Sequence, residues 1–150
     1  MRSNNQTPET YLGSSRAENF SSPETVNGET QNFSIPESLP LNNWALSGKW
    51  HIERERITAE EAGAKLRFHF TSGKVFVVLG TKDGNPITAT IKLNGNVPGA
   101  DSGKDAPDGK LTVGQHTLYE LIDQKSAKEG VIEITTQDAG LEAYAFTFGN

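Results

Sequence analysis

From Lys49 onward, hydrophobic and polar positions alternate mostly with period two, and no long helical repeat is sustained. The clearest alternation puts Leu66, Phe68 and Phe70 on one face and Arg67, His69 and Thr71 on the other, the pattern of a half-buried strand. Ser72-Gly73 reads as a turn into Val75–Gly80, a run apolar on both faces and therefore predicted to be central and covered on both sides. After the Lys82–Asn85 turn, Ile87, Ala89, Ile91 and Leu93 point inward while Thr88, Thr90 and Lys92 point outward, up to a hairpin signal at Asn94-Gly95. Val131–Thr135 and Ala143–Phe148 are two further strands joined by an Asp138-Ala139-Gly140 turn, and the last is expected to be paired well inside a sheet.

The remaining segments are less regular. Trp50, Ile52 and Ile57 fit short strands broken by Glu53-Arg54-Glu55-Arg56, with a turn over residues 59–65. Residues 111–124 fit a helical face through Leu118, Leu121 and Ile122, or strands through Leu111 with Val113 and Tyr119 with Leu121; the β surroundings favour strand. Residues 95–110 form a long Gly/Asp/Pro loop without periodicity. About eight short strands with turn signals between them predict an all-β fold, an antiparallel β-sandwich of jelly-roll type.

This sandwich is expected over residues 39–150, preceded by an extended N-terminal arm over 1–38 whose Asn/Ser/Thr/Glu/Pro composition resembles a linker. Within the arm, Tyr11, Leu12, Ala17 and Phe20 are apolar anchors. They belong either to a segment that docks on a surface or to the core of a neighbouring domain. Both tryptophans lie at the boundary, in Leu39–Trp50. Trp50 continues into the alternation of Ile52 and is expected in the core, while Trp44 precedes that strand and is either packing or the floor of a binding site.

Composition narrows the function. At 150 residues, one domain can bury roughly 68–70% of the surface its unfolded chain exposes. A net charge of −5, from 14 basic and 19 acidic residues, offers no basic stripe for nucleic acid. No run is long and apolar enough to insert into a membrane, and the N-terminus has no signal-peptide apolar region. With no cysteine, thiol redox chemistry and thiolate metal sites are excluded from this chain. Sequons at Asn5, Asn19 and Asn32 carry no weight in so Asn-rich a sequence.

Catalytic chemistry finds no constellation. His51, His69 and His116 fall in separate predicted strands, and none has a second ligand at i+2 or i+4. Asp101, Asp105 and Asp108 have neither the spacing nor the closing glutamate of a calcium loop. The Glu53–Arg56 run reads as a charge-protected edge strand. The expectation is a non-catalytic chain without metal or cofactor. Binding suits the residues better, because a sugar presents an apolar ring face and a hydroxyl edge to aromatic platforms flanked by polar groups. Trp44, Arg67, His69, Tyr119 and Asp105 are the candidate ligand-binding residues, and Tyr11, Leu12, Arg16 and Phe20 the candidate partner interface.

The blocks TPETYLG, RAENF, LPLNNWALSGKW, LYELI and LEAYAFTFG together resemble the C-terminal region of DipZ-type thioredoxin-fusion proteins, thiol-disulfide and cytochrome c biogenesis proteins of bacterial envelopes. The resemblance runs from Thr7 to Gly149. It implies a carbohydrate-binding-module-like sandwich following a thioredoxin-like domain, with residues 1–38 a remnant of the connection. It further implies a periplasmic or extracytoplasmic location, in a parent with or without a membrane anchor, and the thioredoxin-like domain and a carbohydrate ligand as partners. A domain that packs on the thioredoxin-like partner without binding sugar is the alternative. This chain departs from the family at Ser102, where a histidine often precedes the Gly-x-Asp here formed by Gly103-Lys104-Asp105, and at Asp123-Gln124 after LYELI. Those departures fall where a ligand would sit, so ligand identity does not carry over.

Overall fold

The computed structural model describes residues 6–150, so the Asn5 sequon lies outside the described residues. Among the described residues there are nine strands: β1 (Thr10–Tyr11), β2 (Thr30–Phe33), β3 (Trp44–Ile52), β4 (Ile57–Ala59), β5 (Lys65–Thr81), β6 (Ile87–Leu93), β7 (Lys110–Val113), β8 (Thr117–Thr136) and β9 (Leu141–Gly149). Every ladder between them is antiparallel. The result is an all-β antiparallel sandwich of jelly-roll type, with its arm laid along it.

Two strands are far longer than the pattern predicts. β5 runs for 17 residues and β8 for 20, each joining what read as two separate strands. Both pass from one layer into the other, as strands at the corners of a sandwich do. The first half of β5 lies between β3 and the second half of β8, whose far side carries β6 and then β7. Its second half lies between the first half of β8 and β9, with β4, β1, the end of β3 and β2 beyond.

Ser72-Gly73 is therefore no turn but an irregularity in a continuous strand, where the β5–β8 register shifts between Ser72 and Lys74. Before it Leu66, Phe68 and Phe70 face the core; after it Val75, Val77 and Leu79 do. The parity of the strand reverses across this irregularity, where Gly73 alone stands opposite residues 124–127 of β8. Phe76 and Val78 consequently lie on a half-exposed outer face, so Val75–Gly80 is paired on both edges but not covered on both faces.

The layers meet through aromatic contacts. Phe68 packs edge-on against Phe146 and Phe148 at ring separations of 4.9 and 5.2 Å. The Glu53–Arg56 segment is a tight turn between β3 and β4, closed by the Glu53 N–H donating to the Arg56 carbonyl, rather than an edge strand. The 95–110 loop is ordered by two 3-10 turns and held to β8 through Gly103 and Asp105.

The described part of residues 1–38 folds onto the sandwich. β1 pairs with β9 and β2 with β3, and Leu12 and Phe33 are buried in the common core. Gly13 is required where the arm crosses the β3–β4 turn: a Cβ there would lie 2.4 Å from the Arg54 carbonyl oxygen. Directly after it, the Ser14 and Ser15 amides donate to the carbonyls of Glu53 and Arg54.

Candidate ligand-binding site

Trp44 opens β3 instead of preceding it, and it is buried to 1% exposure, as is Trp50. Its indole N–H donates to the Glu18 carbonyl at 2.9 Å, its backbone N–H donates to the Asn19 carbonyl at 3.0 Å, and Phe20 lies over the ring at 4.6 Å. Trp44 is thus sealed under the arm and presents no face to a ligand, which corrects its reading as a platform. The indole and apolar surface that composition left unassigned on each side cover one another.

The other expected ligand-binding residues do not converge. Arg67 and His69 share the outer face of the first half of β5, but both are engaged. Arg67 donates from Nε (3.0 Å) and Nη2 (2.5 Å) to one oxygen of Glu133, whose other oxygen lies 3.5 Å from Lys65 Nζ. Burial alone would raise the Glu133 carboxyl, but Arg67 and then Lys65 outweigh it and hold the group below its ordinary value. His69 lies 2.7 Å from the Leu39 carbonyl oxygen through Nδ1 and 2.7 Å from the Glu129 carboxylate through Nε2. Tyr119 is buried, and its hydroxyl fastens the β7–β8 turn, donating to the Gln115 carbonyl and accepting from the Gly114 N–H. Asp105 accepts the Glu120 N–H at 2.7 Å and so clamps its loop.

The residues expected at a partner interface divide between two faces of the arm. Leu12 and Phe20 pack into this chain's own core, whereas Tyr11 and Arg16 face outward, with the Arg16 guanidinium carbon 3.7 Å from the centre of the Tyr11 ring. That pair borders a cleft of about 410 Å³ on the outer face of the second layer. The cleft floor is Val78 and Ala145, one wall is Arg54 and Glu55, and Tyr144 and His116 complete it.

A bulge aims Tyr144 into the cleft. Val78 pairs with Ala145 and Leu79 with Ala143, which leaves Tyr144 as an extra residue in β9. Plain alternation groups Tyr144 with Phe146 and Phe148, both in the core; the extra residue turns it out instead. His116 stacks on its ring at 4.2 Å and 21°. The Tyr144 hydroxyl donates to Glu142 at 3.1 Å, and burial, then the Glu142 carboxylate, raises the phenol above its ordinary value, with Arg56 partly opposing. The phenol therefore keeps its proton and remains a donor at neutral pH.

Among the described residues, Glu9, Arg16, Arg54 and Glu55 form no ion pair, although all four line this cleft. Half-exposed aromatic rings beside guanidinium donors and carboxylate acceptors suit a neutral, hydroxyl-rich ligand. Neither Arg54 nor Tyr144 was singled out by the sequence; a tyrosine among alanines in a core strand gives no sign of a bulge. No group of three histidine, aspartate or glutamate residues among the described ones is placed to hold a metal ion. No helix among them is long and apolar enough to cross a membrane.

Residues 7–149 match the family model described as a thioredoxin-like C-terminal domain. DipZ proteins of Mycobacterium bovis and Mycobacterium tuberculosis are each 23% identical over 95% of this chain, which covers 18% of their length. A family two carbohydrate esterase from Cellvibrio japonicus superposes with a TM-score of 0.56 at 13% identity, over 70% of this chain and 30% of the esterase. The CBM36-1 domain of a multidomain xylanase from the hindgut metagenome of Trinervitermes trinervoides superposes with a TM-score of 0.42 at 15% identity, over 95% of this chain and 98% of that domain. What the esterase shares with this chain is its fold.

Proposed function

The chain belongs to the thioredoxin-like C-terminal domain family, and from that premise we propose that it is a non-catalytic, carbohydrate-binding β-sandwich accessory to a thioredoxin-like thiol-disulfide oxidoreductase of the bacterial envelope. The parent chain acts outside the cytoplasm, with residues 1–38 as the connection to its thioredoxin-like domain. The observation that carries the binding reading is the Tyr11–Tyr144 cleft, in which two half-exposed tyrosines stand among four charged side chains that form no ion pair among the described residues.

Sugar is preferred over protein docking because Leu12 and Phe20, the apolar anchors a partner would take, are already packed within this chain. The test is retention on a glycan array. Wild-type protein is expected to retain at least one class of glycan, and Tyr144→Ala to lose it with the thermal transition unchanged. Retention that survives Tyr144→Ala would move the site elsewhere, and absence of retention by the wild type would end the sugar reading.

A further inference from the structure

A second depression, of about 380 Å³, adjoins the cleft through shared lining residues. The two share Glu9, Tyr11 and Arg16, and the second adds Pro8, Thr10, Glu18 and Asn19. Arg16, which lines both, is exposed, forms no ion pair among the described residues, and rests on Tyr11 through a cation–π contact.

The walls, by contrast, are fixed. The Glu18 and Asn19 carbonyls are held by the two N–H groups of buried Trp44, and Tyr11 is paired in register with Ala145. Asn19 has a φ of 64°, in the left-handed region that asparagine tolerates, so its side chain projects from a pinned corner. Glu18 and Asn19 are both exposed, and Glu18 makes no ion pair among the described residues, which leaves a carboxylate and an amide available to sugar hydroxyls.

Resting on the sugar-binding reading above, we propose that the two depressions are consecutive subsites of one groove, built for an oligosaccharide of at least two rings. Tyr144 serves the ring in the first subsite. In the second, a further ring takes the face of Tyr11 that Arg16 covers, and the guanidinium swings aside to donate to its hydroxyls. Trp44 is a positioning residue of the second subsite, holding its Glu18–Asn19 wall without touching the ligand.

The experiment is a calorimetric titration with mono-, di- and tetrasaccharides of one repeating unit, chosen from the glycan class the array retains. The wild type is expected to bind the disaccharide and tetrasaccharide at least tenfold more tightly than the monosaccharide. Asn19→Gly keeps the left-handed backbone and removes the amide; it is expected to weaken the tetrasaccharide severalfold and leave the monosaccharide unchanged. In the same titration followed by NMR, ring-current-shifted Arg16 side-chain protons should move as Tyr11 is uncovered. Equal affinity at every length, or Asn19→Gly weakening all lengths alike, would overturn the second subsite and leave the first standing. Failure of every length to bind would remove the sugar reading and this inference together.

Discussion

The two outer faces of the sandwich carry similar residue types and use them differently. On the first layer, Arg67, Lys65 and Glu133 form one ion-paired group, and His69 lies between a carbonyl and Glu129. On the second, Arg16, Arg54, Glu9 and Glu55 surround a cleft without an ion pair among the described residues, beside Tyr11 and Tyr144. Polar groups that satisfy one another have little left to offer a ligand, while those facing open space must be satisfied by water or by something that displaces it. Residue type alone favours the first face as a site; the satisfaction of its groups favours the second.

The arm creates this contrast, so the largest effect should come from undermining the arm. Trp44→Ala removes a fully buried indole together with its hydrogen bond to the Glu18 carbonyl, and is expected to cost about 3–5 kcal/mol. For a domain of this size the melting temperature should fall on the order of 10 °C in calorimetry. An unchanged melting temperature would return Trp44 to the surface and undo the division between its sealed indole and the open tyrosines. Gly13→Ala comes next. Its Cβ would collide with the backbone of Arg54, Glu55 and Arg56, and overpacking of that kind costs about 1–3 kcal/mol. Because the clash lies at the cleft wall, glycan retention should fall along with the melting temperature.

Tyr144→Ala should separate the two quantities. It takes away a half-exposed ring from a bulge, so stability should change by about 0.5 kcal/mol or less, while retention falls at least tenfold. The matched substitution on the other face, Arg67→Gln, should leave retention unchanged. Loss of binding in Arg67→Gln with none in Tyr144→Ala would invert the comparison.

Much of the fold was legible because period two is a strong signal where one face is buried: Leu66–Phe70 and Ile87–Leu93 lie as the alternation requires. The site was not legible, because it depends on events that a pattern of alternation cannot register. The register shift at Ser72-Gly73 and the extra residue at Tyr144 each reverse parity; the first reads in the sequence as a turn, and the second carries no Gly or Pro to mark it. The arm hid the rest. Its polar sequence resembles a linker, yet Leu12, Phe20 and Phe33 suffice to anchor it over Trp44, and only three-dimensional contact shows which aromatic covers which.

The smallest effect concerns what the paired face does contribute. In the folded chain, Arg67 and Lys65 hold the Glu133 carboxyl below its ordinary 4.5 despite the opposing effect of burial. A depressed carboxyl makes the unfolded chain the better proton binder, so the stabilisation is complete above about pH 4.5 and disappears as the pH falls through the folded value. Glu133→Gln should therefore be less stable than the wild type by about 0.2–1 kcal/mol at neutral pH, the range of partly exposed ion pairs. The difference should shrink in acid, as both proteins come to carry an uncharged group at position 133. Added salt should shrink it too, without acid. Melting curves of the two proteins from pH 7 down to pH 3 measure this directly. A gap that stays constant through that range would mean that Glu133 contributes by shape and hydrogen bonding rather than charge. It would also weaken the argument that this face is occupied by its own electrostatics.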